Sequence, residues 1–247
     1  MMDIQNERYL QALDHIIVEK RNREGIGRLG EKLVHASLKS FYESDTAYHE
    51  IKVGGFVADI LREGHITEIQ TGPFTPLKKK LDSFLKTHTV TIVHPIVNRK
   101  VIVWVDADGA FSKPVTSPKK RDVFGAFSKL VSILPYLLRE NLTVELVYLD
   151  VEEYRLLHPK YGKRRSTRYE RVPTRYHGKT VLKTADDYAA LLPETLPESF
   201  TSKEFSKLCK VRGMALSAAL KVYMTLGVFS REREGRGYRY YYSKKQQ

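Results

Sequence analysis

Asp59 and Glu68 are the residues whose types and spacing point most directly at chemistry. They stand in two short apolar, β-branched runs, residues 56–61 and 65–70, with Glu63 and Gly64 between them. A two-residue spacer ending in Gly predicts a tight β-hairpin, because Gly supplies the positive φ such turns require. Arg62 then faces His65, Leu61 faces Ile66 and Ile60 faces Thr67. Asp59 falls opposite Glu68, and Val57 opposite Gln70. Alternation along the strands puts Asp59, Glu68 and Gln70 on one face of the hairpin. Two carboxylates directly opposite each other repel. A hard divalent cation such as Mg²⁺ or Mn²⁺ between them removes that objection, since it takes carboxylate oxygens. The plainer reading is the solvated face of an amphipathic hairpin. Against it, Val57, Ala58 and Ile60 make the Asp59 strand apolar on both faces, as in a buried sheet.

Asp59 followed across a hairpin by Glu68, Ile69 and Gln70 resembles the signature of the PD-(D/E)XK nuclease superfamily, in its Asp…Glu-x-Gln variant. Upstream, Gly27, Arg28, Leu29, Gly30 and Glu31 are similar to the Gly-rich start of that family's first helix, with its Glu. The resemblance spans roughly residues 25–150 and includes the order helix, hairpin, motif, helix, strand. Most members carry Lys at the place of Gln70; some restriction endonucleases carry Gln. The resemblance implies Glu31, Asp59, Glu68 and Gln70 as catalytic residues. It also implies a metal held by Asp59, Glu68 and the backbone carbonyl of Ile69.

The whole chain bounds these expectations. Its 247 residues suffice for one large domain or two modest ones, and 42% hydrophobic composition supports a real core. No apolar run approaches the roughly eighteen residues of a membrane span, and the first residues lack the apolar stretch of a secretion signal. One cysteine, Cys209, leaves no disulfide and no cysteine-based metal site. The expected compartment is the cytoplasm. A net charge of +13 and a pI near 9.6 favour a polyanionic partner, nucleic acid first.

The elements that must position the carboxylates follow from periodicity. Residues 4–20 predict a helix with a stripe of Ile4, Leu10, Leu13, Ile16 and Ile17, and residues 28–42 a second with Leu29, Leu33, Val34, Leu38 and Phe41 inward. Glu31 lies one turn before Val34 and His35, on the edge of that stripe. Residues 48–53 predict the first strand. Residues 75–86 predict a helix with Pro76 in its first turn, exposing Lys78, Lys79 and Lys80; the resemblance would place this helix beside the active site. Residues 89–97 and 100–105 predict two strands, 123–138 an apolar helix and 142–149 another buried strand. Asp106, Ala107, Asp108 and Gly109 predict a turn rather than a calcium loop, because no Glu follows at the required place. Residues 158–183 hold nine Lys or Arg against the single acid Glu170, interleaved with Tyr161, Tyr169 and Tyr176. With few aliphatics this predicts a connector, its Lys163, Arg164 and Arg165 suited to tracking a phosphate backbone.

The last sixty or so residues resemble a winged helix. Residues 186–192 predict a short helix ended by Pro193. Thr201 and Glu204 form a capping box, with Phe200 and Phe205 as its hydrophobic staple. A second helix over 215–226 stops at Gly227, and residues 228–233 and 238–243 predict a hairpin. The helix-turn-helix arrangement would offer Arg212, Ser217 and Lys221 to the major groove, with Arg233 and Arg236 on the wing. Winged helices also bind proteins; the arginines of this wing favour DNA.

These expectations combine into an α/β fold with a restriction-endonuclease-like mixed sheet, helices on both faces, and a C-terminal winged helix-turn-helix domain. Residues 1–157 would be nuclease-like, 158–184 a basic connector and 185–247 the DNA-binding domain. The expected activity is Mg²⁺- or Mn²⁺-dependent hydrolysis of double-stranded DNA by an endonuclease, with a lysine among Lys78, Lys79 and Lys80 replacing the charge that Gln70 lacks. No membrane partner is expected, and a homodimer stays open. The alternative is a catalytically inactive nuclease-fold DNA-binding regulator.

Overall fold

The computed structural model describes residues 2–24, 32–118, 123–233 and 240–244. By contacts the chain forms two compact units that do not follow chain order. The first joins Met1–Thr71, Val93–Arg121 and Leu146–Thr180; the second joins Gly72–Ile92, Asp122–Glu145 and Val181–Gln247.

The first unit begins with helices α1 (Met2–Glu24) and α2 (Lys32–Tyr42). Then come strands β1 (His49–Val53), β2 (Phe56–Arg62) and β3 (His65–Ile69). Strand β4 (Thr89–Val105) follows after helix α3 (Leu77–Phe84), with the short β5 (Val115–Thr116) beyond it. Strands β6 (Leu142–His158) and β7 (Gly162–Leu182) complete a mixed α/β architecture. The large sheet has the order β1-β2-β3-β4-β6-β7, with β5 paired to β4.

Helices α1 and α2 cover this sheet through one core cluster: Tyr9, Val34 and Leu38 meet Ile69, Val93, Val147, Leu149, Val151 and Tyr176. The apolar stripe of α1 is narrower than its spacing predicts. Leu13 is buried, whereas Ile4 is exposed. Tyr9 takes the central place, stacking on Tyr176 with centroids 5.8 Å apart and bonding its hydroxyl to Ser37 Oγ at 2.9 Å. Asn6 Oδ1 accepts the N–H of Tyr176 at 2.9 Å, tying α1 to β7.

Three expectations need correcting. Residues 89–105 form one strand instead of two, because Asn98 and Arg99 make no turn: the Asn98 amide donates to Asp150 on β6 at 2.9 Å. Most of residues 158–184 is strand β7 and not a connector. Its poverty in aliphatics does not prevent pairing, since β6 supplies a partner strand and Glu153 on β6 answers Arg171 at 2.6 Å. The helix expected over 123–138 breaks into short pieces, of which α4 (Phe127–Leu130) alone is α-helical, because Ile133 departs from helical geometry and Pro135 follows.

In the second unit, α3 begins at Leu77, with Pro76 at its N-cap rather than in its first turn. It is joined by α4, α5 (Ala185–Ala189), β8 (Ser199–Thr201), α6 (Ser202–Leu208), α7 (Gly213–Thr225), β9 (Phe229–Arg233) and β10 (Tyr240–Lys244). Thr201 and Glu204 close the capping box, and Phe200 stacks on Phe205 at 5.7 Å. At the end of α7, Gly227 adopts φ +76°, with Val228 N–H bonded to the Tyr223 carbonyl and Gly227 N–H to that of Met224. That is a Schellman stop, which a residue with a Cβ would strain. Strands β8, β10 and β9 make a three-stranded antiparallel sheet, in which β8 is an element the sequence reading treated only as a cap. Phe127 packs on Tyr223 at 5.2 Å, and Phe124 on Phe205 at 6.0 Å.

Candidate active site on the β2–β3 hairpin

The hairpin forms because its turn is locally determined. Glu63 and Gly64 both take positive φ, +50° and +79°, as a type I′ turn requires and as matches the twist of the strands it joins. The observed register is the expected one: Arg62 faces His65, Leu61 faces Ile66 and Ile60 faces Thr67. Strand β1 flanks β2 on its other side, with Ile51 opposite Ala58 and His49 opposite Ile60. Strand β4 flanks β3. The hairpin is therefore interior to the sheet, and the reading of a merely solvated hairpin face fails at Glu68, which is 2% exposed.

One step beyond the Ile60–Thr67 pair, side chains take over the amides. Glu68 Oε1 accepts the N–H of Asp59 at 3.3 Å, and Asp59 Oδ2 accepts the N–H of Ile69 at 2.7 Å. Each carboxylate is thus held against the strand opposite its own. The Asp59 carboxylate also meets His35 Nε2, on α2, at 3.2 Å. The backbone of Gln70 is fixed on β4: its N–H donates to the Val93 carbonyl at 2.8 Å, and its own carbonyl lies 2.5 Å from His94 Nδ1.

Asp59, Glu68 and Ile69 are brought together, with Gln70 adjoining; Ile69 meets Asp59 through its amide. Glu31 and Arg236 lie outside the described residues, as do Gly27, Arg28, Leu29, Gly30 and the side chain of Arg164. His35 is the residue that sequence reasoning missed. No spacing rule in the sequence singles it out, because its partner Asp59 lies twenty-four positions away. Among the described residues, no group of three or more His, Cys, Asp or Glu side chains is arranged to hold a metal ion. Two carboxylates nonetheless suit Mg²⁺, which commonly takes one or two from the protein and completes its shell with water and substrate phosphate. The donor chemistry fits such an ion, and does not fit a closed, all-protein cage.

The remaining predicted residues fall elsewhere. Lys78 and Lys79 are exposed on α3, and Lys80 is half-buried there. Arg212 precedes α7, on which Ser217 and Lys221 lie four residues apart and exposed, while Ala218, Ala219 and Val222 pack inward. Arg233 is exposed at the end of β9, and Lys163 and Arg165 start β7. A separate groove of about 580 Å³, lined by Arg8, His15, Tyr42, Glu43 and Arg62 among others, opens beside α1. Its buried Glu43 is committed to Arg62 at 2.7 Å. The Arg62 hydrogen bond and the Asp45 N–H together hold that carboxyl below its ordinary range against a smaller opposing effect of burial. Among the described residues no helix is long and apolar enough to cross a membrane.

Residues 32–183 match the family described as "Domain of unknown function (DUF8091)", more than half of the chain, and the chain belongs to that family. The match runs from α2 to the end of β7 and leaves α5 to β10 outside. No curated protein and no solved structure matches the chain.

Proposed function

We propose that this protein is a metal-dependent DNA endonuclease of the PD-(D/E)XK type, guided by a winged helix built from α6, α7, β9 and β10. The observation that carries the reading is the crossed pair of Asp59 and Glu68, each held by an amide of the facing strand. Chain order supports it, since α2, β1, β2, β3, α3 and β4 follow the order helix, hairpin, motif, helix, strand.

Asp59, Glu68 and the Ile69 carbonyl would hold Mg²⁺. When bound, the ion lowers the pKa of its water and stabilises charge on the attacked phosphate. The chain's own residues do the rest. The amides of Asp59 and Ile69 hold the carboxylates of Glu68 and Asp59 in place. His35 positions Asp59 from behind, in the manner of an outer-sphere partner. The Gln70 amide orients the attacking water. Duplex DNA is met by Arg212, just before α7, and by Ser217 and Lys221 on it.

The test is cleavage of plasmid and linear DNA by the purified chain with Mg²⁺ or Mn²⁺, with Glu68→Gln as control. Metal-dependent cutting that Glu68→Gln abolishes is the expected result. Gln70 at the position of the customary Lys favours a second reading, a DNA-binding regulator on an inactive nuclease fold. Tight DNA binding with no cutting under either metal would establish that reading instead.

A further inference from the structure

The outer half of the large sheet carries a charged cluster for which hydrolysis has no use. Glu153 on β6, 1% exposed, is gripped by three cations from three strands. Arg155 lies 2.6 Å from its Oε1, Arg171 on β7 lies 2.6 Å from its Oε2, and Lys100 on β4 lies 3.5 Å from its Oε1. Three cations thus meet one carboxylate. Two aromatic rings elsewhere on these strands and their turn carry cations of their own. The Nζ of Lys163 sits 4.2 Å from the ring centroid of Trp104. Arg165 lies 4.3 Å over the ring of Tyr161, which is 41% exposed.

Alternation places these groups on one face. Lys100 and Trp104 are four residues apart on β4, and so share a face. Glu153 and Arg155 on β6, and Lys163, Arg165 and Arg171 on β7, are separated by even numbers within their strands. The contacts Lys100–Glu153, Arg171–Glu153 and Lys163–Trp104 join the three strands on that same face. The result is a sheet surface with interleaved cations and rings.

We infer that this face binds single-stranded DNA, its cations following the phosphates and Trp104 and Tyr161 stacking on unpaired bases. Charge complementarity selects a polyanion. The rings select unpaired bases, because a duplex hides base faces within its own stack and sequence-tolerant base–aromatic stacking is the mode of single-strand binders. The inference rests on the nucleic-acid reading above and refines it: the DNA engaged includes an unpaired segment.

Trp104 is the chain's one tryptophan, so its fluorescence reports this face alone. The full chain, in EDTA so that nothing is cut, is titrated with oligo(dT) of about fifteen nucleotides, with a duplex of the same length, and with heparin. The expected result is saturable quenching of Trp104 by oligo(dT), weakening steeply with salt. Heparin, which has charge but no bases, leaves the emission unchanged, and the duplex quenches it less. Tyr161→Ala weakens oligo(dT) binding roughly tenfold, as loss of one stacked base does, with an unchanged melting temperature. Emission unaffected at saturating oligo(dT), quenching by heparin equal to that by DNA, or undiminished affinity in Tyr161→Ala would each overturn the proposal. Plasmid cleavage with Mg²⁺ is followed in parallel. Cutting without quenching sinks the single-strand proposal alone; quenching without cutting leaves it standing and sinks the nuclease reading.

Discussion

Asp59 and Glu68 hold the β2–β3 hairpin together at the point where its regular register ends. Glu68 Oε1 accepts the Asp59 N–H at 3.3 Å, and Asp59 Oδ2 accepts the N–H of Ile69, the next residue after Glu68, at 2.7 Å. The pair therefore has a structural role that is separable from its proposed chemistry. Asp59→Ala leaves the N–H of the buried Ile69 without this acceptor, a loss of about 1–3 kcal/mol. Asp59→Asn keeps an oxygen in place and should recover most of that stability in urea denaturation. It should not recover Mg²⁺ binding by calorimetry or DNA cleavage, both of which need the charge. Equal metal affinity in wild type and Asp59→Asn would remove Asp59 from the metal site.

His35 touches Asp59 at 3.2 Å, and in the proposed site it would act through that carboxylate. Replacing such an outer partner typically costs ten- to a hundredfold in metal affinity or activity. His35→Ala should raise the Mg²⁺ concentration needed for half-maximal cleavage by roughly tenfold, with the maximal rate at saturating metal changed far less. A fall in maximal rate at unchanged metal dependence would instead make His35 a participant in proton transfer.

Glu153 links acidity to stability. Its burial is the largest single influence and acts to raise its pKa, but the hydrogen bonds from Arg171 and Arg155 and the charges of Arg171 and Lys100 together outweigh it, bringing the carboxyl from 4.5 down to about 2. A carboxyl with a lowered folded pKa stabilises the fold above its unfolded pKa, and that contribution disappears as pH falls through the folded value. The wild-type chain should therefore exceed Glu153→Gln in stability by about 3 kcal/mol near neutrality. The difference should shrink between pH 4.5 and about 2. Thermal melts of both proteins across that range are the measurement; a difference independent of pH would assign the effect to packing.

Lys221 is exposed on α7, one turn after Ser217. As a phosphate contact it should affect all duplex sequences alike. Lys221→Ala is expected to weaken duplex binding uniformly and to reduce the slope of log affinity against log salt by about one. Unchanged affinity and slope would turn this face of the helix toward a protein partner.

What the sequence by itself determined is what short-range chemistry controls. The turn at Glu63 and Gly64 sets the register of the hairpin through two positive φ angles, so the approach of Asp59 to the Glu68 strand was legible before any coordinates. The same holds for the capping box of Thr201 and Glu204 and for Gly227 ending α7. Each depends on residues within a few positions of one another. Tertiary structure alone decided the rest. Strand β7 carries too many charges to announce itself, and it exists because β6 pairs with it and Glu153 gathers the cations of three strands. Tyr9 is a core residue because Tyr176, far along the chain, closes over it. His35 reaches Asp59 across twenty-four positions, a distance at which no periodicity survives, and packing of α2 on the sheet is what brings them together.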